Sequence, residues 1–274
     1  MSGEVAQHYA GPGDLASRIS YRLAEAGKDL KRLTPRDLAA VDEFHIRGRN
    51  ATVELADKMR LTSYSRVLDI GSGLGGPART VAQQYRCRVT GVDLTEEFCE
   101  TARELSCWVR LDDLVEFIRG NALDLPFEDD AFDAAMTIHV GMNVRAKNKL
   151  YAEARRVVKR GAIFAVYDVV QGEGGAVRFP VPWARTPEIS YLATPDKMKD
   201  LLRAAGFRIV EIQDSTAESQ KWFEEVRARM SKPAIAPAVT FQAFLGKDFP
   251  AMARNQVINL TERRIRTVTY ICQA

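Results

Sequence analysis

Several features are scarce or missing in this 274-residue sequence, and each gap removes a class of protein. Its four cysteines, Cys87, Cys99, Cys107 and Cys272, form no C-x-x-C pair. Three fall in or beside core elements, which suggests buried thiols in a reducing compartment rather than disulfides; no metal is expected. No apolar run approaches the roughly 20 residues that a membrane helix needs. The opening M-S-G-E-V-A-Q-H-Y has neither the basic start nor the apolar stretch of a secretory signal. The sequons at Asn50 and Asn259 then carry no weight, and the chain reads as cytoplasmic. Its formal net charge is only +3, with no basic block and no aromatic-interleaved basic stripe, so nucleic acid is not an expected partner.

What is present is ordinary in bulk: 46% hydrophobic and 27% charged residues, enough for a sizeable core in one domain with insertions or in two small ones. One stretch stands apart, R-V-L-D-I-G-S-G-L-G-G-P-A-R from Arg66 to Arg79. Val67, Leu68 and Ile70 suit a strand buried on both faces. Gly71, Gly73, Gly75 and Gly76 follow directly, and Ala78, Val81, Ala82 and Tyr85 then recur at helical spacing. A buried strand, a glycine turn and a helix make a corner where a ligand can lie against backbone. A dinucleotide site is also glycine-rich, but here Asp69 stands two positions before the first glycine, in the order D-x-G-x-G. Asp69 is therefore expected at the carboxyl end of its strand, within reach of a ligand's ammonium group.

The spacing elsewhere predicts alternating strands and helices. Residues 14–26 are expected as one helix with Leu15, Ile19, Leu23 and Ala26 on a face, and Thr34-Pro35-Arg36-Asp37 starts another. The loop F-H-I-R-G-R-N-A-T, residues 44–52, offers His45, Arg47 and Arg49 around Gly48. Further strands are expected at 88–93, 115–119, 132–138, 162–169, 207–212 and 264–272, and an inserted helical segment over 217–263 is interrupted near Pro233 and Pro237. Asp93 closes the second strand 22 positions after Gly71, where an α/β nucleotide site places a carboxylate for ribose hydroxyls. Thr95 caps the next helix, and Asp69, Asp93, Asn121, His139 and Asp168 fall at strand ends, the edge where such sheets bind ligands.

In register, these landmarks resemble the class I S-adenosylmethionine-dependent methyltransferases. V-L-D-I-G-S-G-L-G-G looks like the glycine motif, G-V-D-L like the acidic second-strand motif and G-N-A-L-D-L-P-F like the adenine-side motif. F-D-A-A-M-T-I-H-V and R-V-V-K-R-G-A-I-F-A-V-Y-D-V look like the fourth- and fifth-strand motifs. The leader's F-H-I-R-G-R-N-A-T, with F-P-V-P-W at residues 179–183, resembles a bacterial small-molecule subgroup related to the sarcosine/dimethylglycine-type enzymes. The resemblance implies an α/β fold: a Rossmann-like, open, seven-stranded, mostly parallel sheet with the last strand antiparallel, plus helical N-terminal and inserted cap segments. It divides the chain into an N-terminal helical cap over 1–65, a cofactor-binding core over 66–170, and a 171–274 portion that completes the sheet and carries a substrate cap.

It further implies S-adenosylmethionine as cofactor, with Gly71, Gly73 and Gly75 along the methionine and ribose and Asp69 near the ammonium. Asp93 would take the ribose hydroxyls, Leu94 the adenine face, and Asn121 with the Ala122 N–H the adenine edge. Asn121 stands where the family often has Asp, and Arg160-Gly161-Ala162 replaces a more usual double glycine. The expected activity is methyl transfer to N, O or C of a small-molecule acceptor, with neither nucleic acid nor membrane as partner and a homo-oligomer admitted. Where the attacking atom must lose a proton, His139 beside the cofactor is the first candidate base and His45 the second, with turnover then rising through a pKa near 6.5. Phe179, Trp183, Tyr191, Trp222 and Phe241 are candidate pocket walls, although aromatics in such segments more often pack. The competing readings are a nicotinamide-dependent oxidoreductase, which should show neither Asp69 nor the adenine-side motif, a nucleic-acid methyltransferase, whose N-P-P-Y or D-P-P-Y type motif is replaced by I-H-V-G after the fourth strand, and a binding module without catalysis.

Overall fold

The computed structural model describes residues 14–230 and 246–274. The leader supplies helices α1 (Leu15–Glu25), α2 (Pro35–Asp42) and α3 (Arg49–Asp57). Then β1 (Arg66–Ile70), α4 (Gly76–Tyr85), β2 (Arg88–Asp93), α5 (Glu96–Trp108), β3 (Val115–Arg119) and β4 (Phe132–Ile138) follow in alternation. The chain continues with α6 (Lys147–Val157), β5 (Val158–Gln171), α7 (Pro195–Ala204), β6 (Arg208–Asp214), α8 (Thr216–Met230), α9 (Phe249–Thr261) and β7 (Ile265–Gln273). The strands make one seven-stranded sheet in the order β3-β2-β1-β4-β5-β7-β6. The first five are parallel neighbours, and β7 runs antiparallel to both β5 and β6. This is the Rossmann-like sheet expected, with its last strand reversed.

Alternation of side chains along the strands feeds two cores. Leu68, Ile70, Ala135, Phe164 and Val166 pack on one face with Leu150 and Ala154 of α6 and Met198 and Leu202 of α7. Val67, Ala134, Met136, Ala165 and Tyr167 face the other side, against Leu55 of α3, Val81 of α4 and Ala102 of α5. Period-2 strands with both faces covered explain why β1 reads as a continuous apolar run. The order reverses between β1 and β4, and that reversal opens a crevice at the carboxyl ends of the strands.

The leader shares this scaffold. Leu15, Ile19 and Leu23 of α1 and Leu38 and Val41 of α2 form a third core with Phe98 and Leu105 of α5 and with Leu74 of the glycine turn. The start of α2 is held as the sequence suggests: Thr34 N and Oγ1 both donate to the Asp37 carboxylate, at 2.9 and 2.7 Å. Several boundaries differ from expectation; α3 starts at Arg49, inside the expected loop, and β5 runs on to Gln171. β5 begins at Val158, directly after α6, because Gly161 does not end the helix but sits in an irregular stretch of the strand. It has φ +83° there, and its N–H donates to Ala274 O. β6 runs two residues further than expected, to Asp214, while Phe207 leaves the strand to stack on Phe164 with ring centroids 5.0 Å apart. Pro233 and Pro237 lie outside the described residues. Among the described residues no helix is long and apolar enough to cross a membrane.

Candidate active site

The crevice is built first by backbone. At the end of β1 the N–H groups of Gly71 and Ser72 both donate to Val92 O, at 2.7 and 3.1 Å, which folds the glycine turn over the tip of β2. Gly71, Gly73 and Gly75 all have positive φ, at 81°, 52° and 78°. Their surroundings separate their roles. A Cβ on Gly71 would run into Val140, and one on Gly75 into the Phe117 ring and the Arg79 guanidinium, so packing requires both glycines. A Cβ on Gly73 would meet nothing. Gly73 is the position where backbone borders open space.

Asp93 ties the two strand ends together. One carboxylate oxygen accepts from Gly73 N and the other from Thr95 N, each at 2.9 Å. Burial raises its pKa, against the lowering effect of these backbone donors. Thr95 occupies the helix N-cap, but its hydroxyl makes no capping bond, contrary to expectation. Leu94, Thr95 and Phe98 continue the crevice wall beyond Asp93.

The leader closes the other side through residues to which the sequence reading gave no role. Arg79, in α4, is fully buried: its Nη2 donates to Asp42 Oδ2 at 2.7 Å and to Leu74 O, and its Nη1 to Ala102 O and Ser106 Oγ at 3.0 and 2.9 Å. A Cβ on Gly76 would strike the Asp42 carbonyl, so α2 sits directly on the glycine turn. Asp42 lines the crevice, and its pKa is raised to about 6 by burial, with Arg79 opposing. Next to it, buried Glu43 accepts from Thr52 Oγ1 at 2.7 Å and from Thr80 Oγ1 at 2.6 Å. The only hint in the sequence was a consecutive acid pair preceding F-H at residues 44–45.

Asp69 is buried at the end of β1, and burial, reinforced by Glu43 and Asp93, pushes its pKa up to about 8. It does not itself line the crevice. Four buried polar atoms in and beside the crevice have no partner: Asp42 Oδ1, Asp69 Oδ2, Ser72 Oγ and His139 Nε2. Such groups are costly to leave bare, and together they suit a polar ligand with cationic and hydroxyl groups.

His139 follows β4 with φ +53°, a backbone conformation uncommon outside glycine, held by its N–H donating to Tyr167 O at 2.8 Å. Its ring lies 5.9 Å from that of His45 and 5.0 Å from that of Tyr167, centroid to centroid. Burial, and secondarily His45, drives the His139 pKa well below 6.5; burial brings that of His45 down to about 4. This corrects the expected titration near 6.5: both rings are desolvated and neutral at physiological pH.

The structure thus brings Gly71, Gly73, Asp93, Leu94, His139 and His45 to one crevice, with no lysine or arginine among its described lining residues. Gly75, Asn121 and Ala122 are not in that lining. Asn121 Oδ1 accepts from Leu123 N at 3.0 Å in a local turn, and Ala122 belongs to the core. Asp168 is also buried away from the crevice, its Oδ1 accepting from Val169 N, with a pKa pushed up to about 7 by burial. Of the aromatic candidates, Phe179, Trp183 and Trp222 are packing residues, and Tyr191, outside the crevice lining, lies under Arg145, whose guanidinium carbon is 5.9 Å from its ring centroid. Trp183, with Nε1 donating to Ser190 Oγ at 3.0 Å, forms a separate apolar cluster with Phe179, Trp222 and Phe223. Phe241 lies outside the described residues.

Residues 68–166 match the family model described as a methyltransferase domain. The sterol 24-C-methyltransferase of Debaryomyces hansenii is 33% identical over 116 residues, which is 42% of this chain and 31% of that enzyme. The chain therefore matches only about a third of the length of that relative. The sarcosine/dimethylglycine N-methyltransferase of Halorhodospira halochloris is 27% identical over 180 residues, 63% of this chain and 64% of that enzyme. Among solved structures, the geranyl diphosphate C-methyltransferase of Streptomyces coelicolor, in complex with Mg2+, geranyl-S-thiolodiphosphate and S-adenosyl-L-homocysteine, superposes with TM-score 0.70 at 17% identity. That superposition covers 99% of this chain and 96% of that one.

Proposed function

We propose that residues 68–166, which match the methyltransferase-domain model, form a class I S-adenosylmethionine-dependent methyltransferase core, and that this protein methylates a nitrogen, oxygen or carbon atom of a small-molecule acceptor. The observation that carries the reading is the crevice at the β1/β4 reversal. There Gly73 borders open space, buried Asp42, Ser72 and His139 each carry an unpartnered polar atom, and Asp69 carries another just behind the lining. These residues fit S-adenosylmethionine. Gly71 and Gly73 would follow its methionyl and ribosyl portions, Asp93 the ribose hydroxyls and Leu94 the adenine face. Asn121 and the Ala122 N–H, at the end of the next strand, would meet the adenine edge, and Asp69 would balance the ammonium. Gly75 is assigned to packing.

When bound, the cofactor supplies an already activated sulfonium methyl. The chain's own task is to hold the acceptor atom in line, about 3–3.5 Å away, and to keep water out. Phe44, Ile138 and Val140 supply apolar wall, while neutral His45 and His139 offer hydrogen-bonding nitrogens at the same end of the crevice. A neutral imidazole accepts a proton or a hydrogen bond without first losing its own charge. The reading carries with it a cytoplasmic protein acting on a dissolved acceptor rather than on nucleic acid.

Calorimetry tests it first. S-adenosylmethionine and S-adenosylhomocysteine should bind, and NAD should not; preference for NAD would reject the reading. Labelled S-adenosylmethionine with pooled small metabolites should then transfer label to a small product. If a base operates, neither imidazole should add a limb to the pH–rate profile across pH 6–8 at saturating cofactor, since both are already neutral there.

A further inference from the structure

Resting on the methyl-transfer reading, we infer that Gly48, Thr52 and Glu43 hold His45 as its Nε2–H tautomer, so that the unprotonated Nδ1 receives an N–H or O–H of the acceptor. The tautomer follows from the partners. His45 Nε2 lies 3.0 Å from Gly48 O, and a carbonyl oxygen can only accept, so Nε2 carries the hydrogen. The same nitrogen lies 3.1 Å from Thr52 Oγ1, whose own hydrogen goes to Glu43 Oε2 at 2.7 Å. Glu43 is kept as an acceptor on its other oxygen by Thr80 Oγ1 at 2.6 Å, and Thr80 in turn accepts from Arg49 Nη1. Every link of this chain points one way: imidazole N–H to threonine, threonine O–H to carboxylate.

Nδ1 is then the basic nitrogen of a neutral ring. It has no hydrogen-bond partner among the described residues, and it is not among the sealed, partnerless atoms that include His139 Nε2. His45 lines the crevice with its neighbour Phe44. The charged and titratable groups around it are Glu43, Arg47, Tyr167 and His139; Arg47 opposes a positive charge on the ring, and His139 is itself neutral. His139 has no orienting partner for its ring, whereas His45 is held by a carbonyl and a hydroxyl–carboxylate pair. A base oriented by a third group is the arrangement that proton-transfer sites use. Glu43 and Thr52 are accordingly positioning residues, and the acceptor class is one with a hydrogen on its nucleophilic nitrogen or oxygen.

The chain has three histidines, which makes long-range 15N–1H NMR of the uniformly labelled full chain readable. His45 is assigned by the signals missing from His45→Gln. At pH 7 the wild type should show a protonated Nε2 and a pyridine-type Nδ1, well separated in shift. Thr52→Val removes one of the two acceptors on Nε2 and should bring the nitrogen shifts toward each other only in part, because Gly48 O still accepts from Nε2, and Thr52→Ser should restore the full separation. A ring protonated at Nδ1, a charged ring at pH 7, or a folded Thr52→Val with wild-type shifts would each overturn the inference. The wild-type spectrum decides alone if Thr52→Val does not fold. S-adenosylhomocysteine titrated into the same sample separates the two readings. Failure to bind overturns the methyl-transfer reading and with it the role of Nδ1; binding together with the wrong tautomer overturns only this inference.

Discussion

Replacing Arg79 by Met should unfold the molecule more readily than any surface change, and its cost can be worked from the contacts. The guanidinium is fully buried and satisfies Asp42 Oδ2, two backbone carbonyls and Ser106 Oγ. Removing one member of a buried ion pair leaves the other uncompensated, a loss of about 3–5 kcal/mol. Asp42 limits the loss by taking up a proton, for which its raised pKa of about 6 already prepares it. At about 2–4 °C per kcal/mol for a chain of this size, the expected fall in Tm is about 6–20 °C. The decisive assay is a double-mutant cycle with Asp42→Leu, followed by circular dichroism in urea. Because each single variant strands the other charge, the pair should lose less than the sum of the singles, by about 0.5–3 kcal/mol. Losses that add to within about 0.3–0.5 kcal/mol would refute a coupled buried pair. Since Arg79 also holds Leu74 O in the glycine turn, cofactor affinity should fall in the single variant.

Gly73→Val should fold, because its Cβ would meet nothing, although φ +52° costs a branched residue about 1–3 kcal/mol; calorimetry should find S-adenosylhomocysteine binding lost. Asp93→Ala should lose about 1.5–3 kcal/mol of cofactor affinity, and also stability, since both carboxylate oxygens already hold backbone N–H groups; unchanged affinity would remove Asp93 from the ribose. Asp69 has its folded pKa raised from 3.8 to about 8, so the stability it contributes is full below pH 4 and is lost as pH rises through 8; Asp69→Asn should flatten that slope in thermal melts of the free protein. A cofactor ammonium restores the carboxylate, so binding at pH 7 should release a proton, seen as a buffer-dependent calorimetric enthalpy that Asp69→Asn abolishes. His45 works in the opposite sense: its pKa lowered from 6.5 to about 4 gives stability present above pH 6.5 and lost as pH falls through 4, an acid limb that His45→Gln should remove.

Much of the fold was legible because local rules and global packing agree. Val67, Leu68 and Ile70 form a central strand, and the D-x-G-x-G spacing turns directly into α4. The acid ending β2 fell where the sheet's crevice needs it. The limits of β5 and β6 were less legible, since an irregular strand at Gly161 depends on pairing with β4 and β7, over a hundred residues away in the case of Ala274.

The sequence by itself determined the alternating elements, the glycine corner and the presence of Asp69, Asp93 and His139 at strand ends, because strand and helix periods and turn chemistry act over a few residues. Only the tertiary structure decided which glycine borders open space: Gly73, Gly71 and Gly75 look alike in sequence, but Val140, Phe117 and Arg79 fill the room beside the latter two. It alone joined Arg79 to Asp42, 37 positions apart, and set His45 on Thr52 and Glu43. It also set the downward direction of both histidines' pKa values, because desolvation is a property of everything packed around a group, and no local stretch of sequence encodes it.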